Sequence, residues 1–304
     1  MLFIDIVLLI AVMLLTGILY PVMGYRQSKK RGTIIGGNDK TGWYLTSIIS
    51  SWIPAIVIVA ALILNGHSFK DIGFTFNLPD EHGYLFYIAL ALSALYLGYN
   101  IFTILLLRFN RKERERHSKE IPIEYRFILP SNKGEKVMWR LLAATAGITE
   151  EIIYRGYIFF ALFFIFPGIS FVWVILISSA LFSLGHLYQG REVWKPAAAG
   201  LFLASVYFFT GTIYIVIILH IVQDLVAGEL DPAIRDTSTT PSKPDTEIIE
   251  SSSDNLSSNE IVAEIALEET KEAETGETEI AGTEPNAPSS NEFESRTDQI
   301  EGVD

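Results

Sequence analysis

The chain has 304 residues, half of them apolar, and a mean hydropathy of +0.33, more apolar than a soluble domain usually is. The absence of cysteine excludes disulfides, thiol nucleophiles and zinc–thiolate sites. The formal charge of −12 is unevenly spread: from Glu229 onward 21 acidic residues stand against 4 basic ones, while the rest of the chain is net +5, so the acidity belongs to the tail and carries no message about substrates.

A membrane span needs about 20 mostly apolar residues. The first candidate is Leu2 to Met23. It lacks a cationic region ahead of it and a small-residue cleavage site after it, so it reads as a retained helix rather than a signal peptide. Trp43 to Leu64 is the second, with Pro54 tolerable as a kink where neighbouring helices satisfy the freed carbonyl. Tyr84 to Leu107 is the third. The fourth, Val137 to Phe166, would be about 45 Å long as a helix, more than the hydrocarbon core, so its first turns belong at headgroup level. Ser170 to Gly185, Pro196 to Phe209 and Ile213 to Ala227 complete about seven spans, the last two joined by a turn so short that they must be neighbours. The fold class expected is therefore all-α: a polytopic transmembrane helix bundle over residues 1–228, followed by an acidic, low-complexity tail over 229–304 that is disordered from Asp236 on.

Basic residues concentrate in the first-to-second, third-to-fourth and fifth-to-sixth loops; the intervening loops hold only Lys70. With seven spans this places the protein in the cell membrane, N-terminus outside and tail in the cytoplasm. The basic clusters read as membrane anchoring and not as a nucleic-acid surface.

Charge inside a span is expensive, about 3 kcal/mol for Asp, Lys or Arg at the helix centre. The fourth span nevertheless contains Thr149-Glu150-Glu151-Ile152-Ile153-Tyr154-Arg155. Glu151 and Arg155, four apart, share a face in the order that favours pairing, which a buried structural ion pair would explain. Glu150, rotated by about 100°, has no obvious local partner. Of the five histidines, His67, His82 and His117 read as ordinary residues of polar loops. His186 closes the fifth span, and His220 lies within the seventh, four residues before Asp224. Ionisable groups on three spans form a functional-site hypothesis, and convergent Glu and His side chains suit general-base catalysis on water.

Glu150-Glu151-xxx-Arg155, Phe182-xxx-His186 and His220-xxx-Asp224 resemble the three successive motifs of the CPBP family, which comprises CAAX prenyl endopeptidases, their prokaryotic relatives and bacteriocin-processing or immunity proteins. The resemblance covers roughly Leu129 to Gly228 and includes Gly200 to Thr212. It implies an intramembrane glutamate endopeptidase without a cofactor, acting on a membrane-associated peptide or protein. In that scheme Glu150 and His186 activate water, His220 and Asp224 stabilise the oxyanion, and Glu151 and Arg155 organise the site. Many relatives carry Asn where this chain has Asp224, and an ionised Asp cannot donate to an oxyanion; Asp224 must be protonated or must act by orienting His220. Two alternatives use the same observations. The Glu and His residues could ligate a divalent metal such as zinc, although a His-Glu-xx-His helix is lacking, or the chain could be a non-catalytic immunity or scaffold protein.

Overall fold

The computed structural model describes residues 2–31, 40–76, 83–121, 126 and 128–234. The chain divides into two units, Met1–Thr240 and Pro241–Asp304. His82 and the stretch expected to be disordered from Asp236 on lie outside the described residues.

All regular structure among the described residues is helical. Helix α1 (Leu2–Leu14) passes through a wide π turn, Leu15–Leu19, into α2 (Tyr20–Arg31). Helix α3 (Lys40–Leu64) carries Pro54 within it. Helix α4 (Tyr84–Phe109) ends at Asn110, whose extended backbone breaks the run and whose side chain accepts from the Glu113 N–H to start α5 (Arg111–Lys119). Helix α6 (Lys133–Glu151) starts the same way: the Asn132 side chain accepts from the Glu135 N–H at 2.9 Å, and the Glu135 carboxylate accepts in return from the Ser131 N–H and the Asn132 amide. A second π turn, Ile152–Tyr157, joins α6 to α7 (Ile158–Ile165) without a break. Helices α8 (Phe171–Gly185), α9 (Trp194–Thr210) and α10 (Ile213–Ala227) follow. Gly211 (φ 65°) closes α9 in the left-handed region, donating its N–H to the Tyr207 carbonyl, so that α10 folds back against α9.

Among the described residues, four helical stretches are long and apolar enough to cross a membrane: Leu2–Arg26, Lys40–Leu64, Tyr84–Phe109 and Leu187–Thr210. The fourth begins earlier than Pro196, because a 3-10 segment (Leu187–Val193) leads into α9. The continuous helix from Lys133 to Ile165 is longer than any of them but has Glu150, Glu151 and Arg155 in its middle, and α8 and α10 are apolar but shorter. The outer faces of α3 and α4 leave large apolar side chains exposed, among them Ile53, Ile56, Leu95 and Phe102, as a membrane protein does toward lipid.

The core is built around the second π turn. Residues Ile152 to Ile158 are all buried, packed by Leu9 and Val12 of α1, Ile58 and Leu62 of α3, Phe182 of α8, Leu203 and Tyr207 of α9, and Val216 and Leu219 of α10. A smaller cluster (Tyr44, Ile121, Ile128, Leu129 and Trp139) fixes the start of α6 against α3, with the Tyr44 hydroxyl donating to the Ile128 carbonyl at 2.7 Å.

The expectation that His67 is an ordinary loop residue fails. Its side chain is only 14% exposed, its ring lies edge-on to Phe160 and Phe164, and Nε2 is 3.6 Å from Asp5 Oδ1. The reason is Asp5, a buried carboxylate in an otherwise apolar span, which also accepts from Asn65 at 3.2 Å and needs polar company. His117 is a surface residue as expected, although it lies in α5 rather than in a loop.

Candidate active site

Three close approaches bring the polar groups together. Gly147, one turn before Glu151, lies directly against Ile221; a Cβ there would come within 2.5 Å of Ile221 Cγ1 and 3.1 Å of its backbone nitrogen. That contact lets α6 and α10 approach closely enough for Glu151 to reach His220. Gly200 does the same for α9, sitting against Phe182 and leaving its carbonyl open to Arg155. The π turn sets the third approach. Such turns widen the helix by one residue and recur at functional sites; this one starts directly after Glu151 and contains Arg155.

Glu151 is the centre of a fully buried network. Its Oε1 accepts from Arg155 Nη1 at 2.8 Å and lies 2.7 Å from His220 Nδ1. An ionised carboxylate can only accept, so His220 carries a proton on Nδ1. Arg155 is held from two more sides: Nη2 donates to the Gly200 carbonyl at 3.0 Å, and the guanidinium carbon lies 4.5 Å from the centre of the Phe182 ring. The pairing of Glu151 with Arg155 expected from their spacing is therefore present.

The other ring nitrogen of His220 faces two further carboxylates, Asp224 Oδ2 at 3.6 Å and Glu150 Oε2 at 4.0 Å. That Glu150 oxygen is buried and has no hydrogen-bond partner among the described residues. Glu150, His186 and Asp224 all line one cavity of about 320 Å³, whereas Glu151, Arg155 and His220 stand behind its wall. His186 sits at the C-terminal cap of α8, and its Nδ1 lies 2.8 Å from the Phe182 carbonyl. A carbonyl only accepts, so this contact assigns the proton to Nδ1 and leaves Nε2 of the neutral ring as an acceptor. Among the described residues, His, Cys, Asp and Glu side chains do not form a group of three or more arranged to hold a metal ion.

Motif reasoning missed several residues of this site. Trp139 donates its indole N–H to the Asp224 carbonyl at 2.9 Å and forms part of the cavity wall. Tyr20 and Gly24 of α2, Trp43 and Ser47 of α3, Tyr154 and Tyr188 complete much of the rest. Tyr154 follows Glu150 by four residues, a spacing from which it could have been read as sharing the Glu150 face. Nothing in the spacing of the motifs points to Trp139 or to the α2 and α3 residues, which join the site only through tertiary packing.

Residues 133–226 match the family model described as type II CAAX prenyl endopeptidase Rce1-like. No curated protein and no solved structure matches the chain. The matched segment runs from the first residues of α6 into α10 and contains Glu150, Glu151, Arg155, His186, His220 and Asp224. Over that segment, about a third of the chain, the sequence is similar to the Rce1-like type II CAAX prenyl endopeptidases.

Proposed function

We propose that this chain is a metal-independent glutamate endopeptidase that hydrolyses a peptide bond of a membrane-associated peptide or protein within its helix bundle. One observation supports it above the others: the unpartnered carboxylate oxygen of Glu150 shares a cavity with His186, whose free nitrogen is an acceptor. A water held between two acceptors is oriented and loses a proton readily to the stronger base. Glu150 takes that proton as the water oxygen bonds to the scissile carbonyl carbon. The tetrahedral intermediate then collapses, the C–N bond breaks, and Glu150 returns the proton to the departing amine. His220 stabilises the oxyanion by its charge as the imidazolium, standing behind the cavity wall with Nε2–H facing Glu150 and Asp224. Asp224, as an acceptor 3.6 Å from that nitrogen, orients the ring. Glu151 and Arg155 fix His220 from behind. The basic loops support seven spans with the N-terminus outside and the tail in the cytoplasm.

The test is cleavage of membrane-anchored reporter peptides by purified protein. Glu150→Gln keeps the shape and removes the proton acceptor, so turnover falls by about two to four orders of magnitude while the thermal midpoint hardly moves. His186→Ala gives a loss of similar size, and the double variant is little worse than either single one. Strong chelators leave the rate unchanged. A Glu150→Gln protein that cleaves at the wild-type rate would end this reading. Chelator inhibition reversed by added zinc would recast the same residues as metal ligands.

A further inference from the structure

A second, smaller cavity of about 130 Å³ lies between the C-terminal ends of α4 and α10 and the first turns of α6. Arg108, Lys136 and Arg140 line it, together with Trp139 and Glu229. We propose that it binds the phosphate of an anionic lipid headgroup. Elsewhere some basic side chains are answered from within the fold, Lys40 by Glu135, Arg111 by Glu115, Arg116 by Glu113 and Lys195 by Glu192, while others such as Lys70, Lys112 and Arg191 form no ion pair among the described residues. Arg108, Lys136 and Arg140 form no ion pair among the described residues, although Glu229 lines the same cavity. Three unanswered cations from two helices, facing a single carboxylate, leave the cavity positive and fit a phosphate. Basic pockets between spans at a membrane surface bind anionic headgroups in this way.

Lipid rather than free phosphate follows from what surrounds the cavity. Val137 and Leu141, each next in sequence to a lining cation, are both 53% exposed, and Leu105, one turn before Arg108, is 48% exposed. Acyl chains descending from a bound headgroup would cover these side chains. Trp139 supplies the aromatic ring typical of the interface. It also forms a wall common to both cavities and bonds the Asp224 carbonyl, so an occupied headgroup site stands one side chain away from the proposed active site. Any effect on turnover rests on the peptidase reading; the binding itself does not.

Native mass spectrometry of the full chain in neutral detergent tests this, with phosphatidylglycerol, phosphatidylcholine and inorganic phosphate as probes. One phosphatidylglycerol should bind in preference to phosphatidylcholine. Each interfacial cation contributes about fivefold to such binding, so Arg140→Gln should weaken it about fivefold, and Arg108→Gln, Lys136→Gln and Arg140→Gln together about a hundredfold. The mild single variant keeps the test usable if the triple one folds poorly. Neutralising Arg111, Lys112 and Arg116 on α5 should leave binding intact. Equal loss in that control would reduce the effect to general surface charge and overturn the site. Displacement by inorganic phosphate at the same concentration would overturn the lipid assignment in favour of free phosphate. Lipid binding that appears only after Asp236 to Asp304 is deleted would make the acidic tail the occupant and equally overturn it.

Discussion

Replacing Arg155 with Met tests how the site bears its charge. The side chain is fully buried, and its guanidinium binds the Glu151 carboxylate, the Gly200 carbonyl and the Phe182 ring. Methionine fills most of the volume but leaves Glu151 ionised against an apolar wall, with His220 as its remaining partner. Stranding one member of a buried pair costs about 3–5 kcal/mol. At about 2–4 °C per kcal/mol for a folded unit of this size, the Tm in detergent should fall by about 6–20 °C. Glu151→Gln alone strands the opposite charge and should be similarly damaging. Combining the two removes both charges, so the double variant should be less destabilised than the sum of the singles. The thermodynamic cycle, read by thermal unfolding and reporter cleavage on the same preparations, isolates that coupling. An Arg155→Met protein of wild-type stability without activity would refute the reasoning and move Arg155 from support to direct contact with substrate.

Gly147→Ala should force α6 and α10 apart, since the new methyl would sit 2.5 Å from Ile221 Cγ1; overpacking of this kind costs about 1–3 kcal/mol, and cleavage should fall with Tm, whereas Gly98→Ala, with open space around it, should change neither. Single cysteines at positions 75 and 115, in a chain with no native cysteine, should react with an impermeant thiol reagent from outside the cell only at 75; labelling at 115 would overturn the proposed orientation. Deleting Thr237 to Asp304 should leave Tm and cleavage intact, because the deletion begins beyond the Asp231 N–H and Ile234 carbonyl that tie the end of the bundle to Ser118 and Arg126; loss of either property would mean that the tail takes part in the fold or the site.

The all-helical architecture was legible because spans are written in uninterrupted apolar runs, and α10 begins and ends at the residues its run predicts, Ile213 and Ala227. The Glu151–Arg155 pair was legible because an i, i+4 spacing is a local property of a helix. The bond from Glu151 to His220 was not: 69 residues separate them, and the contact depends on a glycine, Gly147, whose role is set by a residue on another helix. Trp139 is invisible for the same reason, since an indole in the first turns of a helix gives no sign that it will hold the Asp224 carbonyl. His67 was misread because its surroundings in sequence are polar, while its surroundings in space are Asp5 and two phenylalanines.

Adjacent glutamates solve two problems that one could not. At about 100° per residue they face different surroundings. Glu151 turns inward, where Arg155 balances its charge and its remaining reach goes to fixing His220. Glu150 turns to the cavity, where its buried oxygen has no hydrogen-bond partner among the described residues and His220 Nε2 stands 4.0 Å away. With all three carboxylates ionised, the cluster holds −3, against +1 from Arg155 and at most +1 from His220. With His186 as the neutral ring, at least one negative charge is left over. Hydrocarbon does not tolerate such a charge cheaply, so it must be solvated, and the cavity lies on the side where Glu150 and Asp224 are 28% and 32% exposed rather than on the side of fully buried Glu151. On the proposed mechanism the surplus charge would draw water to this depth and supply the base that activates it. It follows that Glu150→Gln should dry the cavity as well as stop catalysis. Hydroxyl-radical labelling of Tyr154 and Tyr188, which line that cavity, should fall in the variant; unchanged labelling would mean that water enters independently of the Glu150 charge.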